Sequence, residues 1–334
     1  MPTVTLEWPH GRLSALSTGA MVASLEFVLP SGRPFRPFAR APWVEAGERD
    51  TGLAPHLQVL GAEFACVPFG VGGPLAEIAP EWRALDVAAV NDPPHGPAAN
   101  AEWALEAETA TALRFGLDYP EGHPVRRLTR SIAVDPAAAA VDFSLTIAAR
   151  RAGRISVGLH PILTLAMPDE SLAITADFDF GLTYPAAVPG GAMLTAIGRT
   201  FDRLAAVPAA GGGTVDLSRL PKPRPAEDVV QLCGMRGPVE IAFRDARARL
   251  AVDWDRVLLP SCQLWIGDRA LTSPPWNGGY RGLGIEPNAA AFDLADAVSS
   301  ADNPISARGV ATTVALDPDR PVEIRYRLAA REDG

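Results

Sequence analysis

Proline and glycine are so frequent in this chain that long helices have little room to form. The 334 residues include 32 prolines and 30 glycines, together about a fifth of the chain. Proline disrupts the interior of helices, and glycine is unfavourable inside both helices and strands. Hydrophobic residues make up 48% of the chain, which is enough apolar surface for a large buried core. We therefore expect many short elements around one core.

The segments between these breakers alternate between apolar and polar positions, which is typical of β-strands. In AVDFSLTIAAR, for example, Phe143, Leu145 and Ile147 fall on one face. Strands at short spacing without helices between them indicate antiparallel sheets. We predict an all-β fold with a single domain over residues 1–334. The other alternating segments are AMVASLEFVLPSGR, ALRFGLDYP, LTRSIAVDP, RISVGLHPILTL, PVEIAFRDARARLAVDW, CQLWIG and PVEIRYRLAAR.

Three segments do not follow the alternating pattern. Residues 136–140 (PAAAA) lie between two strand patterns and are very short, so we predict a loop. Residues 198–206 (GRTFDRLAA) are predicted to form one or two helical turns. Residues 207–228 are rich in proline and glycine and are predicted to form a long exposed loop, because strand patterns resume directly after them.

The chain is acidic, with a formal net charge of −9 and an isoelectric point near 5.1. Negative charge repels phosphate backbones, so we expect no nucleic-acid partner. The three cysteines, Cys66, Cys233 and Cys262, lack the spacing of a metal site, so we expect inert or buried thiols and no metal. The first residues do not resemble a secretory signal, and no apolar stretch reaches the ~18 residues that cross a bilayer. We expect a cytoplasmic protein without a membrane partner.

Histidine gains or loses a proton near neutral pH, so each of the five histidines is a candidate for chemistry. His10, His56 and His123 lie in turns or loops without a partner pattern, and we interpret them as structural residues. His95 lies in the polar segment NDPPHGPAANAEW, where proline and glycine restrict the backbone. His160 lies in ISVGLHPIL, inside an otherwise apolar strand pattern. By itself, that position favours a hydrogen-bonded core histidine slightly over a catalytic one.

Glu286 occupies a position similar to that of His160. It follows apolar residues in YRGLGIEPN, and a proline follows each of the two residues. Proline ends strand pairing locally and could aim the preceding side chain into a cleft. Burying a carboxylate costs free energy unless it is paired, so a buried glutamate inside a strand is expected to have a partner or a function. A glutamate at a strand end that points to solvent is equally compatible with the pattern.

Residues 260–281 combine aromatic side chains with amide and guanidinium groups. Aromatic planes cover the apolar faces of sugars, and amide groups bond to sugar hydroxyls. Trp276, in a Pro-Pro-Trp-Asn-Gly-Gly loop, is difficult to bury and is a candidate for sugar contact together with Gln263. Trp265 and Tyr280 are more readily interpreted as core residues. The polar residues of this segment are Gln263, Asn277 and Arg281.

The order of these motifs resembles that of the aldose 1-epimerase, or galactose mutarotase-like, superfamily. The matching features are a His-Gly loop followed by Trp at His95, a Gly-x-His-Pro strand at His160 and an apolar-Glu-Pro segment at Glu286. The segment LGAEFACVPFG is also similar to a family strand that ends in a proline turn. The resemblance spans about residues 20–295. It implies a large antiparallel β-sandwich, the galactose mutarotase-like supersandwich.

The resemblance also implies an enzyme that interconverts sugar anomers, with His160 as general acid, Glu286 as general base and His95 binding the sugar. Opening the ring at C1 requires one proton to leave the C1 hydroxyl and another to reach the ring oxygen. A carboxylate and an imidazole can perform both transfers, so no cofactor is expected. The implied partner is a monosaccharide or small sugar derivative, bound by a monomer or homodimer.

Two other functions are compatible with the sequence. One is a carbohydrate-binding protein without catalysis, which the aromatic segment 265–280 supports. The other is an isomerase or lyase that acts on an unusual or phosphorylated sugar on the same fold. Its support is two arginine clusters, for which solvated strand ends are the simpler interpretation. The clusters are Arg126, Arg127 and Arg130, and Arg150, Arg151 and Arg154.

Overall fold

A computed structural model describes residues 3–48, 52–71, 78–82, 92–188 and 192–333. In these residues antiparallel strands predominate and every α-helix has four or five residues, so the all-β prediction is confirmed. All of the alternating segments contain strands. None of the helices in these ranges has the length and apolar character needed to cross a membrane.

The strands are numbered in chain order. The first twelve are β1 (Thr3–Trp8), β2 (Gly11–Leu16), β3 (Val22–Val28), β4 (Pro34–Phe35), β5 (Ala65–Cys66), β6 (Ala104–Glu108), β7 (Ala112–Asp118), β8 (Val125–Val134), β9 (Ala140–Ala149), β10 (Gly153–Ile155), β11 (Val157–Leu159) and β12 (Ile162–Thr164). The next thirteen are β13 (Leu172–Thr175), β14 (Phe180–Thr183), β15 (Thr200–Phe201), β16 (Val207–Pro208), β17 (Thr214–Val215), β18 (Arg219–Leu220), β19 (Ala226–Cys233), β20 (Val239–Phe243), β21 (Ala248–Trp254), β22 (Ser261–Asp268), β23 (Arg281–Ala289), β24 (Val314–Leu316) and β25 (Val322–Glu332).

Two large antiparallel sheets contain most of these strands. The nine-stranded sheet has the order β18-β13-β20-β21-β25-β9-β8-β7-β6. The eight-stranded sheet has the order β15-β14-β19-β22-β23-β11-β5, with β12 also paired to β23. A four-stranded sheet, β1-β2-β3-β4, precedes them. One cluster of buried side chains includes Leu145 and Ile324 from the nine-stranded sheet and Leu264 and Ile285 from the eight-stranded sheet. This shared core is the one that a β-sandwich requires.

The helical segments are single turns, and they connect strands. They are α1 (Pro42–Glu45), α2 (Pro55–Gln58), α3 (Gly96–Asn100) and α4 (Asp296–Ser300), with 3₁₀ turns at Pro80–Trp82, Leu204–Ala206 and Ser306–Arg308. The first three α-helices have a proline in their first two positions, where its missing N–H is tolerated. The predicted loop after Asp135 is confirmed up to Ala139, since β9 begins at Ala140.

Residues 198–206 contain one helical turn as predicted, a 3₁₀ turn at Leu204–Ala206, but the strand β15 before it was missed. The prediction of a loop over residues 207–228 is wrong, because they contain β16, β17, β18 and the start of β19. Leu217 and Leu220 are fully buried in the supposed loop, where β18 pairs with β13. Proline and glycine mark only the turns here. The short strands between them depend on distant partners and therefore leave no local pattern.

A buried ion pair connects the three sheets. The guanidinium of Arg130, on β8, bonds to the carboxylate of Glu63, and both groups bond to the hydroxyl of Tyr326, on β25. The side chains of Arg130 and Glu63 are each 1% exposed. The backbone carbonyl of Glu63 accepts a hydrogen bond from Val22 of β3, and β5 begins two residues after Glu63. The pair therefore fixes the relative positions of all three sheets at one point.

Replacing Arg130 with methionine is expected to destabilise the fold strongly. The substitution leaves the Glu63 carboxylate buried without its cation, which typically costs about 3–5 kcal/mol. Urea unfolding followed by tryptophan fluorescence measures the loss. Arg325→Met is the control, because Arg325 pairs with Glu323 on the surface, where an ion pair contributes about 0–1 kcal/mol. Equal losses in the two variants would contradict the role given to the buried pair.

Candidate functional site

One face of the eight-stranded sheet borders a cavity of about 500 Å³. Successive residues of a strand point to opposite faces. Strand β22 accordingly directs Gln263 and Trp265 to the cavity and Leu264 to the core. The neighbouring strands contribute Glu227 from β19 and Glu286 from β23. The site is thus the polar face of a sheet whose other face is part of the hydrophobic core.

His160 and Glu286 meet in this cavity. Glu286 lies directly across from Gln263 in the strand register, and Gln263 Nε2 donates a hydrogen bond to Glu286 Oε2 over 2.8 Å. The other carboxyl oxygen, Glu286 Oε1, lies 3.4 Å from His160 Nε2. His160 is 5% exposed and Glu286 is 1% exposed. A glutamate that points to solvent is therefore excluded, and the carboxyl group faces the imidazole.

A break in the strand turns the ring of His160 into the cavity. His160 and Pro161 separate β11 from β12, as expected where proline removes a ladder donor. The His160 N–H donates to the carbonyl of Phe64 over 2.8 Å. The two rings stack with centroids 4.5 Å apart at an angle of 19°. Phe64 therefore covers one face of the imidazole and fixes its orientation.

His95 reaches the cavity from the loop before α3. It has a φ of 61°, a left-handed conformation that is uncommon outside glycine, and Gly96 follows with a φ of 71°. Glycine is required at 96 because a Cβ atom there would overlap the carbonyl of Val67. The His95 ring packs edge-on against His160, with centroids 5.1 Å apart. The structure thus brings His95, His160 and Glu286 together.

His56 also lines the cavity, which corrects its interpretation as an isolated structural residue. It lies in α2, it is buried, and its ring centroid is 5.5 Å from that of His95. Its Nδ1 lies 2.8 Å from Asn100 Oδ1. The local sequence gives no sign of this placement, because the neighbours of His56 come from distant segments. His123 is buried outside the cavity lining, 3.2 Å from Asp92.

A second set of carboxyl groups lies in the cavity, and the sequence analysis missed it. Glu227 Oε1 accepts a hydrogen bond from Trp265 Nε1 over 2.7 Å. Asp293 also lines the cavity, near enough to Tyr184 and Glu227 to raise the pKa of each. Glu227 fell within the segment that we predicted to be an exposed loop. The alternation that aims it at the cavity was therefore not recognised.

Aromatic rings form a wall beside these carboxyl groups. Trp265 and Trp276 are half-buried and line the cavity. Tyr280 is buried, stacks on Trp265 with centroids 5.4 Å apart and packs edge-on against Trp276 at 4.9 Å. The core interpretation is therefore right for Tyr280 and wrong for Trp265. Asn277 and Arg281, from the same segment, lie outside the described lining of the cavity.

Burial favours the uncharged forms of the central groups. It lowers the pKa of His160 to about 3, and positive charge on His56 acts in the same direction. Burial likewise lowers the pKa of His95, with a further effect from His160. It raises the pKa of Glu286 well above its ordinary value, and the Asp293 carboxylate adds to that shift. Burial therefore favours a neutral imidazole at His160 beside a protonated carboxyl at Glu286.

Several polar atoms of the lining residues lack a hydrogen bond to any described residue. An unpaired buried polar atom typically costs about 1–3 kcal/mol, so such atoms are rare in native proteins. The approach of His160 to Glu286 does not satisfy hydrogen-bond geometry, so Glu286 Oε1 is one of them. A polar ligand in the cavity would pair with them. They are His95 Nδ1, His160 Nδ1, Gln263 Oε1, Glu286 Oε1 and Asp293 Oδ1.

Glu227 should make the stability of the fold depend on pH. Burial raises its pKa from 4.5 to about 7, despite the opposing hydrogen bond from Trp265. The favourable contribution of the protonated Glu227 side chain to the free energy of unfolding is therefore fully present below pH 4.5. It is lost as the pH rises through about 7. Between pH 4 and pH 8, the free energy of unfolding of the wild type should fall by up to about 3 kcal/mol relative to Glu227→Gln. Urea unfolding across that range measures the difference, and parallel curves would contradict the assignment.

No protein-family model and no curated protein sequence matches this chain. Solved structures match it over nearly their full length. The Slr1438 protein from Synechocystis sp. PCC 6803 has a TM-score of 0.67 at 16% identity, covering 99% of this chain and 96% of that protein. The GalM/aldose epimerase homologue from C. elegans has a TM-score of 0.66 at 10% identity, covering 100% and 99%.

A galactose mutarotase-like protein from Lactobacillus casei ATCC 334 matches with a TM-score of 0.63 at 13% identity, covering 99% of this chain and 100% of that protein. At such low identities, structural similarity establishes the fold and leaves the activity to be argued from the site. The chain has the galactose mutarotase-like fold, as its motifs predicted.

Proposed function

We propose that this protein interconverts the anomers of a monosaccharide by opening and closing the sugar ring at C1. The observation that carries the proposal is the buried pair of His160 Nε2 and Glu286 Oε1, 3.4 Å apart in a cavity with an aromatic wall. A carboxyl group and an imidazole in that arrangement can each reach one oxygen of a bound sugar. The fold that the chain shares with aldose epimerase homologues supports the same reaction.

The reaction needs two coupled proton transfers. When the ring opens, the base removes the proton of the C1 hydroxyl, the bond between C1 and the ring oxygen breaks, and the acid protonates that oxygen. The aldehyde then rotates about the C1–C2 bond, and ring closure on the other face reverses both transfers. Each group therefore donates in one half of the cycle and accepts in the other. Positioned groups of this kind typically accelerate proton transfer by about 10²–10⁴-fold.

The pair holds the single mobile proton that this cycle requires. The family resemblance gives Glu286 the role of base and His160 that of acid, which places the proton on the imidazole. Burial by itself favours the proton on the carboxyl group instead. Both arrangements contain one proton, and they differ only in which side of a 3.4 Å gap it occupies. Sugar hydroxyls that bond to Glu286 would favour the ionised carboxylate.

The cavity suits an uncharged sugar better than a phosphorylated one. Among the described residues, its lining contains Glu227, Glu286 and Asp293 but no lysine or arginine. Members of both arginine clusters have other partners: Arg127 pairs with Glu106 and Asp118, and Arg150 donates to backbone carbonyls. Trp265 and Trp276 offer ring faces for the apolar side of a sugar. His95 and Gln263 offer polar groups for its hydroxyls.

The chain also provides space for the Glu286 carboxyl group in its working position. Gly284 precedes it by two residues on the same face of β23, and a Cβ atom at 284 would overlap Glu286 Oε1. Gln263 holds the other oxygen from the neighbouring strand. The space left by Gly284 and the hydrogen bond from Gln263 together determine where the Glu286 carboxyl group lies relative to His160.

Glu286→Gln is expected to abolish anomer exchange while leaving sugar binding nearly unchanged. The amide keeps the shape of the side chain but cannot shuttle a proton, so the rate should fall by about 10²-fold or more. Anomer-resolved NMR or polarimetry measures exchange, and calorimetric titration measures binding. Glu323→Gln, on the exposed surface, is the control. Full activity in Glu286→Gln would refute the role, and binding without exchange in the wild type would favour the non-catalytic alternative.

Gly284→Ala should reduce anomer exchange by about tenfold or more without unfolding the protein. The new Cβ meets the mobile end of a side chain, so the carboxyl group moves and the backbone stays. A misplaced catalytic group can cost up to about 10²-fold in rate. Gly153→Ala is the matched control, since Gly153 is also in a strand and has open space at its Cβ position. An unchanged rate in Gly284→Ala would show that the carboxyl position is not critical.

A further inference from the structure

His56 is the one cavity histidine in the described chain whose proton position can be read from its hydrogen bonds. Asn100 Nδ2 donates to the carbonyl oxygens of Pro94 and Gly96, over 2.6 Å and 2.8 Å. Carbonyl oxygens only accept, so these two bonds fix the orientation of the Asn100 amide. Its Oδ1 must then face His56 Nδ1, which lies 2.8 Å away.

The proton of the His56 ring therefore sits on Nδ1. An amide oxygen is an acceptor only, so the nitrogen that faces it must be the donor. A neutral imidazole has one N–H, and its other nitrogen, Nε2, then presents a lone pair. Burial lowers the pKa of His56 and keeps the ring in that neutral form, although the bond to Asn100 acts in the opposite direction.

The lone pair of His56 Nε2 is free to receive a ligand. It makes no hydrogen bond to any residue within the described ranges, although His56 is only 4% exposed and lines the cavity. The His56 ring packs edge-on against that of His95, which packs edge-on against His160, with centroid distances of 5.5 Å and 5.1 Å. The ring contacts of His56 in the described chain are with Phe64 and His95 and do not include the His160–Glu286 pair. His56 has a fixed acceptor and no part in the proton transfers.

We propose that His56 is a substrate-recognition residue whose Nε2 accepts a hydrogen bond from a hydroxyl or amino group of the bound sugar. The inference rests on the proposed function only in taking the cavity to be a sugar site. It deepens that function by defining what the substrate carries at this end. The group that meets His56 must be a donor, so a phosphate or carboxylate, which offers only acceptor oxygens near neutral pH, is excluded there.

Two substitutions separate recognition from a merely structural role. In His56→Gln, the side-chain amide reaches the position of Nε2 and keeps an acceptor in the cavity, but it gives up the bond to Asn100. In His56→Asn, the shorter amide reaches the position of Nδ1 and keeps the bond to Asn100, but it leaves no acceptor at Nε2. Thermal unfolding of each variant confirms that it is folded.

Binding is measured by calorimetric titration with D-glucose, D-galactose, D-mannose and D-xylose, and exchange is measured separately by anomer-resolved NMR. For the neutral sugar that binds most tightly, His56→Asn should raise Kd about tenfold, the effect of one lost hydrogen bond that leaves a donor unpaired. His56→Gln should restore most of that affinity. D-glucose 6-phosphate and D-glucuronate should bind the wild type more weakly than the neutral sugars.

The opposite ranking, with affinity kept in His56→Asn and lost in His56→Gln, would assign His56 to structural support and overturn the inference. Unchanged affinity in both variants, or tighter binding of the anionic sugars, would overturn it as well. Failure of the proposed function looks different. A wild type that binds a neutral sugar without exchanging its anomers would reject the enzyme and leave the affinity ranking as the test of His56. A wild type that binds none of these sugars would overturn both.

Discussion

The buried ion pair between Arg130 and Glu63 is the constraint on which the site depends. Burying two charges is costly unless they pair, and this pairing requires β8 and the segment at Glu63 to keep their relative position. Glu63 is followed by Phe64, whose carbonyl binds the His160 N–H and whose ring stacks on the imidazole. The orientation of His160 is therefore set by a charge pair in the interior. An apolar replacement of similar volume would fill the same space but would form no directional bond that fixes the position of this segment.

The same alternation that builds the sandwich also builds the cavity. On β22, Leu264 belongs to the core while Gln263 and Trp265 face the cavity, and β19 and β23 contribute Glu227 and Glu286 to the same side. A sheet face that is both polar and buried is costly, because several of its atoms lack partners within the described chain. The apolar face offsets this cost through the shared core. The strand pattern thus places a polar surface with unpaired atoms on one face of a sheet whose other face is stabilised by the apolar core.

Local patterns in the sequence predicted the long strands, such as β9, and the interruption at His160 and Pro161. The grouping of His95, His160 and Glu286 came from the resemblance of their motif order to the aldose 1-epimerase superfamily. Local patterns were not sufficient for residues whose position depends on pairing between distant segments. Glu227 was assigned to a loop, because prolines obscured the start of β19, and its partner Trp265 is 38 positions away. His56 lies in a single helical turn, and its role depends on Asn100, 44 positions away. Contacts at such separations have no signature in a local periodicity.

If the cavity binds a sugar, one physical cause explains both its unpaired polar atoms and the shifted pKa values of His160 and Glu286. Burial favours the protonated form of Glu286 and the neutral form of His160. A sugar that donates hydroxyl hydrogen bonds to Glu286 and Asp293 stabilises their ionised forms. The proton can then move to His160, which becomes the acid that ring opening requires. The substrate would thus complete the hydrogen bonds of the cavity and also favour the charge state in which Glu286 is the base and His160 is the acid.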